Sequence, residues 1–269
     1  MKRILASLLC LGLLAVVMPA KQAAAEGIYV SPKIIWGITQ MSSVKLDWGG
    51  GDTDRIGSKT DNTFGGSIAI GYDFSRSMGV PVRAELEYAA FSRAKAKKSF
   101  AWADEGEIGG TDVGRGRGEQ SFNIQTLFLN AYYDFKTGTI ATPYIGAGLG
   151  LGFIRTKGGF SGSGVFQGYD DDWGMAPPAD GAYSYSGRAG SKNVTNFAWN
   201  VGAGVGFELD KNWTVDVGYR FVGLGSVKTK SAIPSLTDAA GTVFTGGGIH
   251  TKTKNLYQHQ IALGIRYTF

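Results

Sequence analysis

The chain predicts an all-β fold: an eight-stranded antiparallel transmembrane β-barrel with four long extracellular loops and short periplasmic turns. Three observations predict it. Eight segments alternate apolar and polar residues with a period of two, one parity carries nearly all their charges, and the connections alternate short with long.

Strand one, 28–41, sets Ile28, Val30, Ile34, Trp36 and Ile38 against Tyr29, Lys33 and Thr39. Pro32 removes one ladder donor, so a local bulge is expected near that strand's first end. Strand two, 63–74, sets Phe64, Ile68, Ile70, Tyr72 and Phe74 against Ser67 and Asp73. Strand three, 82–93, sets Val82, Leu86 and Tyr88 against Arg83, Glu85 and Glu87. Strand four ends with Leu127, Leu129, Tyr133 and Phe135 against Asn130 and Asp134. Strand five, 143–155, places Ile145, Leu149, Leu151 and Phe153 opposite Gly146, Gly148, Gly150 and Gly152. Strand six, 196–209, places Phe197, Trp199, Val201 and Phe207 opposite Gly202, Gly204 and Glu208. Strand seven, 213–222, carries Trp213, Val217 and Tyr219 against Asp216 and Arg220. Strand eight, 255–269, carries Ile261, Leu263, Ile265, Tyr267 and Phe269 against Gln258, Gln260 and Arg266.

Hydrocarbon excludes charge at mid-depth, so the placement of charges is the strongest test. Lys33, Asp73, Arg83, Glu85, Glu87, Asp134, Glu208, Asp216, Arg220 and Arg266 share the polar parity. Arg155 is the exception, at a strand end within reach of lipid headgroups. Connections 75–81, 136–142 and 210–212 are short, whereas 42–62, 94–120, 156–195 and 224–254 are long. Aromatic residues gather near both strand ends, as interfacial girdles require.

The N-terminus sets the compartment. Lys2 and Arg3, an apolar run from Ile4 to Val17, and Ala23-Ala24-Ala25 before Glu26 form a secretory signal pattern. The expected organisation is a signal peptide over 1–25 and one barrel domain over 26–269. Removing Lys2, Arg3 and Lys21 lowers the net charge from +5 to +2, so no nucleic-acid partner is expected. Cys10, the one cysteine, lies in the signal, and the mature chain has no thiol chemistry.

Tyr72-Asp73-Phe74 and Tyr133-Asp134-Phe135 before short turns are informative, as are Pro143-Tyr144-Ile145-Gly146-Ala147-Gly148, Val217-Gly218-Tyr219-Arg220 and the terminal Leu263-Gly264-Ile265-Arg266-Tyr267-Thr268-Phe269. Through them the chain resembles the opacity and outer-membrane-protein-A type family of eight-stranded barrels, Gram-negative surface antigens. The resemblance implies the cell outer membrane, and it implies that Tyr267 and Phe269 act as the signal read by the outer-membrane assembly machinery. Two-domain members continue into a peptidoglycan-binding domain; this chain stops at Phe269, and no cell-wall tethering is carried over.

An eight-stranded barrel is just wide enough for side chains to fill, and charges inside it need partners. Lys33, Asp73, Arg83, Glu85, Glu87, Glu208, Asp216, Arg220 and Arg266 form the expected interior network. Asp73 is expected to meet Arg83 across the first short turn, Asp216 to meet Arg266, and Glu87 to meet Arg220. A salt-bridged plug and a narrow gated water path both fit such an interior.

Other motifs carry less. The glycines from Gly146 to Gly152 alternate within a strand and lead into no helix, unlike a nucleotide loop. Asp170-Asp171-Asp172 reads as a solvated acidic turn, with a divalent cation as the sharper reading. Lys95, Lys97 and Lys98 are candidates to touch lipopolysaccharide. No cofactor is expected. A lipid-modifying enzyme would need a nucleophile and an acid beside His259, drawn from neighbours such as Ser231, Ser235 or His250, and no recognisable spacing supplies them. The expected role is non-enzymatic: a structural, surface-antigen or adhesin-like protein contacting outer membrane lipid and, through its loops, a host or surface ligand. A narrow porin-like channel is the alternative, and a lipid-modifying enzyme a distant one.

Overall fold

The computed structural model describes residues 27–47, 53–105, 110–167, 181–230, 232–233, 235–245 and 250–269. Its strands are β1 (Ile28–Asp47), β2 (Thr53–Asp73), β3 (Val82–Phe91), β4 (Ala94–Glu105), β5 (Thr111–Asp134), β6 (Ala141–Gln167), β7 (Gly181–Glu208), β8 (Trp213–Gly223), β9 (Val227–Lys228), β10 (Ser235–Thr237), β11 (Val243–Thr245) and β12 (His250–Thr268). A five-residue helix, α1 (Phe74–Met78), turns the chain between β2 and β3.

Eight of these strands, β1, β2, β3, β5, β6, β7, β8 and β12, close into an antiparallel ring. The two terminal strands pair with each other, so no edge is left open. Successive partners around the ring run Tyr29, Gly71, Glu85, Asn130, Gly148, Asn200, Val222, Gln258 and back to β1 at Thr39. That stagger tilts the strands and fixes the narrow bore of the barrel.

Strand alternation then sorts the side chains. Ile34, Phe64, Ile70, Leu86, Leu129, Leu149, Phe197 and Ile261 face outward and stay exposed, while Glu85, Glu87, Arg83, Gln258 and Gln260 are buried inside. An exposed apolar belt around a buried polar interior inverts the soluble pattern and is stable only in lipid. At the short-turn end Tyr72 meets Phe74, Tyr133 meets Phe135, and Tyr267 lies between Trp213 and Phe269. At the other end Phe221 packs on Trp199, Tyr257 and His259.

Three expectations are corrected. The long connections are present, but 42–62, 94–120 and 156–195 are largely strand rather than loop: β1 and β2 run on well past the barrel, all of β4 lies within 94–120, and β6 and β7 reach Gln167 and Gly181. A membrane strand needs about 9–11 residues, and β6 has 27. Strands β4, β5, β6, β7, β10 and β11 thus stand side by side, in that order, as a six-stranded wall beyond the belt.

The second correction concerns Pro32, which makes no bulge. It pairs with Ile68 in unbroken register, and the ladder to β12 skips Ser31 and Pro32 without a shift, between Val30↔Tyr267 and Lys33↔Gly264. The register shifts in β1 fall instead between Met41 and Lys45. The third is Arg83, whose partner is not Asp73.

Candidate functional site

The barrel interior is layered. Nearest the short turns, the guanidinium of Arg83 forks onto Asp134, donating from Nε and Nη2 at 2.8 and 2.9 Å, and lies between the rings of Tyr132 and Tyr144. Asp73 is the direct cross-strand partner of Arg83, but its carboxylate accepts from the backbone and hydroxyl of Ser75, capping α1. A helix cap thus takes the acid expected to pair with Arg83. Arg266 donates to Asp216 at 3.2 Å, the expected pair. Glu208 lies at the rim, accepting from Thr142.

Higher up, Lys33 bridges Glu85 and Glu87 at 2.6 Å to each, and Arg220 donates to the other oxygen of Glu87 at 2.5 Å. The cations Lys33, Arg83, Arg220 and Arg266 therefore face the carboxylates Glu85, Glu87, Asp134 and Asp216, four charges of each sign in contact. Glycines make the room: a Cβ at Gly202 would strike Arg220, one at Gly146 would strike Tyr132, and one at Gly204 would strike Tyr144. Arg220 continues into Gln260, then Gln258, which donates to Thr39 and Thr63.

Above the amides the interior turns apolar. Met41, Phe122, Ile124, Phe128, Ile154, Val222, Leu224 and Leu256 form one buried cluster across the bore. Below it, a cavity of about 50 Å³ remains among Lys33, Glu87, Tyr132, Tyr144 and Arg220, room for a few waters. Sequence reading placed the charges and omitted this lid, although Phe122, Ile124 and Phe128 share the interior parity of Asn130 and Asp134.

The wall beyond the belt has two unlike faces. Across one face, neighbouring strands align Trp102, Gly114, Gly164 and Tyr183 in one row and Phe100, Gly116, Gly162 and Tyr185 in the next. The rings lie over the glycines, which have no Cβ to oppose them. A register shift between Thr156 and Gly158 brings Tyr183 and Tyr185 onto that face. Asp112 ties it together, accepting from Trp102 Nε1 at 2.8 Å and from the Tyr183 hydroxyl at 2.7 Å. Burial, then this hydrogen bond, pushes the Tyr183 phenol up; burial and the Asp112 charge push Tyr185 up to about 12.

The opposite face exposes Arg115 and Arg117 beside Ser99, Ser161 and Ser163, around an open depression of about 540 Å³. Lys95 and Lys97 share this side, whereas Lys98 alternates to the other. Of the enzymatic candidates, His259 is hydrogen-bonded through Nδ1 to the Tyr219 hydroxyl at 2.8 Å and packs in the girdle against Phe221. Ser231, the His250 side chain and Asp170-Asp171-Asp172 lie outside the described residues.

A closed eight-stranded ring, an apolar outer belt bounded by aromatic girdles and an ion-paired polar interior define a transmembrane β-barrel of the outer membrane. The family model described as outer membrane protein beta-barrel domain matches residues 6–269, and the chain belongs to that family. It is 29% identical to the outer membrane protein PagN of Salmonella typhimurium over 97% of both chains. It is also 29% identical to opacity protein opA67 of Neisseria gonorrhoeae, over 54% of this chain and 53% of that one. Among solved structures, Neisserial surface protein A aligns with 91% of this chain and 99% of that one, at 18% identity and a TM-score of 0.44. The protein is thus a Gram-negative outer membrane protein, its short turns periplasmic and its long hairpins extracellular.

Proposed function

We propose that this protein is a surface adhesin in which the barrel is a sealed anchor and the extracellular wall of β4, β5, β6, β7, β10 and β11 is the binding element. The observation that carries the reading is the contrast between the two halves. The bore is filled by matched ion pairs under an apolar lid, whereas the wall holds an exposed, shallow face whose donors are Arg115, Arg117, Ser99, Ser161 and Ser163. Guanidinium forks and hydroxyls suit an acidic, polar partner surface. The glycine and aromatic layer packs behind that face. The periplasmic residues Tyr267 and Phe269 fit the role of assembly signal, since Phe269 donates its backbone N–H to Ile28 and locks the last turn of the ring.

The test is attachment of bacteria displaying the protein to cultured cells, compared with the charge-reversed R115E/R117E variant at equal surface level. Attachment should fall at least about tenfold, as loss of two exposed cation contacts at an interface implies. Undiminished attachment by the variant would remove this face from the account.

A further inference from the structure

One edge of β4 is hydrogen-bonded to β5, and no ladder among the described residues occupies the other. Because β4 follows β3 along the same neighbour, β5, it runs outward from the membrane between Ala94 and Glu105. The β2–β3 ladder ends at Gly65↔Phe91 and does not continue into β4. At the base, the Lys95 N–H is taken by the Asp61 carboxylate at 2.7 Å. Carried further in the same register, β2 would set Lys59 against Lys97, and like charges directly opposite each other destabilise a strand pair. Gly57, with φ +86°, would fall against Ser99 and break the extended line of β2. From Lys97 outward β4 is therefore an unpaired edge, a template for another strand.

That stretch reads Lys97-Lys98-Ser99-Phe100-Ala101-Trp102-Ala103-Asp104-Glu105. Lysines alone would guard an edge against pairing; here acids stand at the matching positions on the far side of Ala101. Laid antiparallel on its own copy about Ala101, the strand sets Lys97 opposite Glu105, Lys98 opposite Asp104 and Phe100 opposite Trp102. Each match occurs twice, as a two-fold contact requires. Sliding one copy so that Lys98 meets Trp102 sets Lys97 against Ala103 and loses both ion pairs. Lys97, Lys98, Phe100, Ala101 and Glu105 are exposed, and the contact from Lys97 to Glu119 is loose, at 3.9 Å. We infer that β4 pairs edge to edge with β4 of a second copy of this chain, joining two extracellular walls into one sheet. Copies in a single membrane are related by an axis along the membrane normal, which leaves both strands pointing outward. An antiparallel ladder needs its axis in the plane of the membrane, so the second copy belongs to a facing membrane. Arg115 and Arg117 stand on the broad face of the wall and stay uncovered by this edge contact.

The mature chain contains no cysteine, so a single introduced one reports the register. Refolded into phosphatidylcholine vesicles, A101C should give a disulfide-linked dimer on mild oxidation, because the two-fold places position 101 opposite itself at about 4.5–5.5 Å between Cα atoms. A96C, displaced from the axis, should not. Vesicles carrying the parent chain should cluster, as read by light scattering. K97E/K98E and D104K/E105K should each cluster at least about tenfold less, since every ion pair becomes a like-charge pair. Mixing vesicles of these two variants restores opposite charges at all of the pairs, so clustering should return, with the A101C link now joining one variant to the other. Undiminished clustering of either variant alone would overturn the ladder. So would a mixture that clusters without the link at position 101, which would reduce the contact to attraction between oppositely charged surfaces. Each variant is first shown to be folded by its heat-modifiable migration on a gel.

Discussion

The pairing of Arg83 with Asp134 can be measured against the pairing expected from sequence. Both groups are almost fully buried, and the forked geometry leaves each with no substitute of opposite charge at hydrogen-bond distance. Arg83→Met leaves the Asp134 carboxylate buried and unpaired, a cost of about 3–5 kcal/mol. It also removes the cation from between Tyr132 and Tyr144, worth about 0.5–1 kcal/mol for each ring. Asp134→Leu strands the guanidinium but spares those ring contacts, so its cost should sit near the lower end, about 3 kcal/mol. In the double variant neither charge remains, and the loss should shrink to about 1–2 kcal/mol, since a buried pair exchanged for apolar groups is close to neutral. The coupling in the cycle should therefore reach about 5 kcal/mol, whereas Arg83→Met with Asp73→Asn should couple far more weakly, by about 1 kcal/mol or less. Urea titration of the refolded protein in lipid vesicles, followed by tryptophan fluorescence, supplies the numbers. Additive losses for Arg83 and Asp134, or strong coupling between Arg83 and Asp73, would refute the interior geometry described above.

Three further outcomes are expected. Gly116→Val places a branched side chain against Tyr185 and Phe100; limited proteolysis should then cut within 94–122 while the barrel keeps its heat-modifiable migration, and an uncut wall would argue that the rings do not rest on the glycines. The neutral Tyr185 phenol is favoured by the folded wall, so its contribution to stability is complete below the ordinary tyrosine range near about pH 10 and is lost as pH rises through about 12. Ultraviolet titration should show it ionising after the exposed tyrosines, and Asp112→Asn should move it earlier; an unchanged titration would remove Asp112 as a cause. Deleting Phe269 should lower surface assembly by more than the loss of one girdle contact with Tyr267 implies, and normal surface levels would count against a signal role.

The barrel was legible because lipid imposes a strict rule: Asp73, Glu87, Asp216 and Arg220 must share one parity, and a period of two shows it in the bare sequence. The ends of the chain were legible for the same reason, with β12 pairing to β1 as its apolar face required. The extracellular wall was harder to see. Its alternation is written in glycine and serine, as in Gly114-Arg115-Gly116-Arg117 and Ser161-Gly162-Ser163-Gly164, whose apolar partners, Trp102, Tyr183 and Tyr185, lie on other strands. Only the register brings ring to glycine. Likewise Arg83 has an acid on each side, and sequence distance favours Asp73; the helical turn that consumes Asp73 appears only with the backbone. The lid needed no register, only continuation of the interior parity upward through Phe128, Ile124 and Phe122.

Single-channel recording of the purified protein in a planar bilayer tests the sealed anchor most directly. The layered interior, with paired charges below and Met41, Phe128, Leu224 and Leu256 above, predicts no discrete openings from the parent chain and openings once M41A/F128A/L224A thins the lid. Reproducible conductance steps from the parent protein, folded by its gel migration, would contradict it.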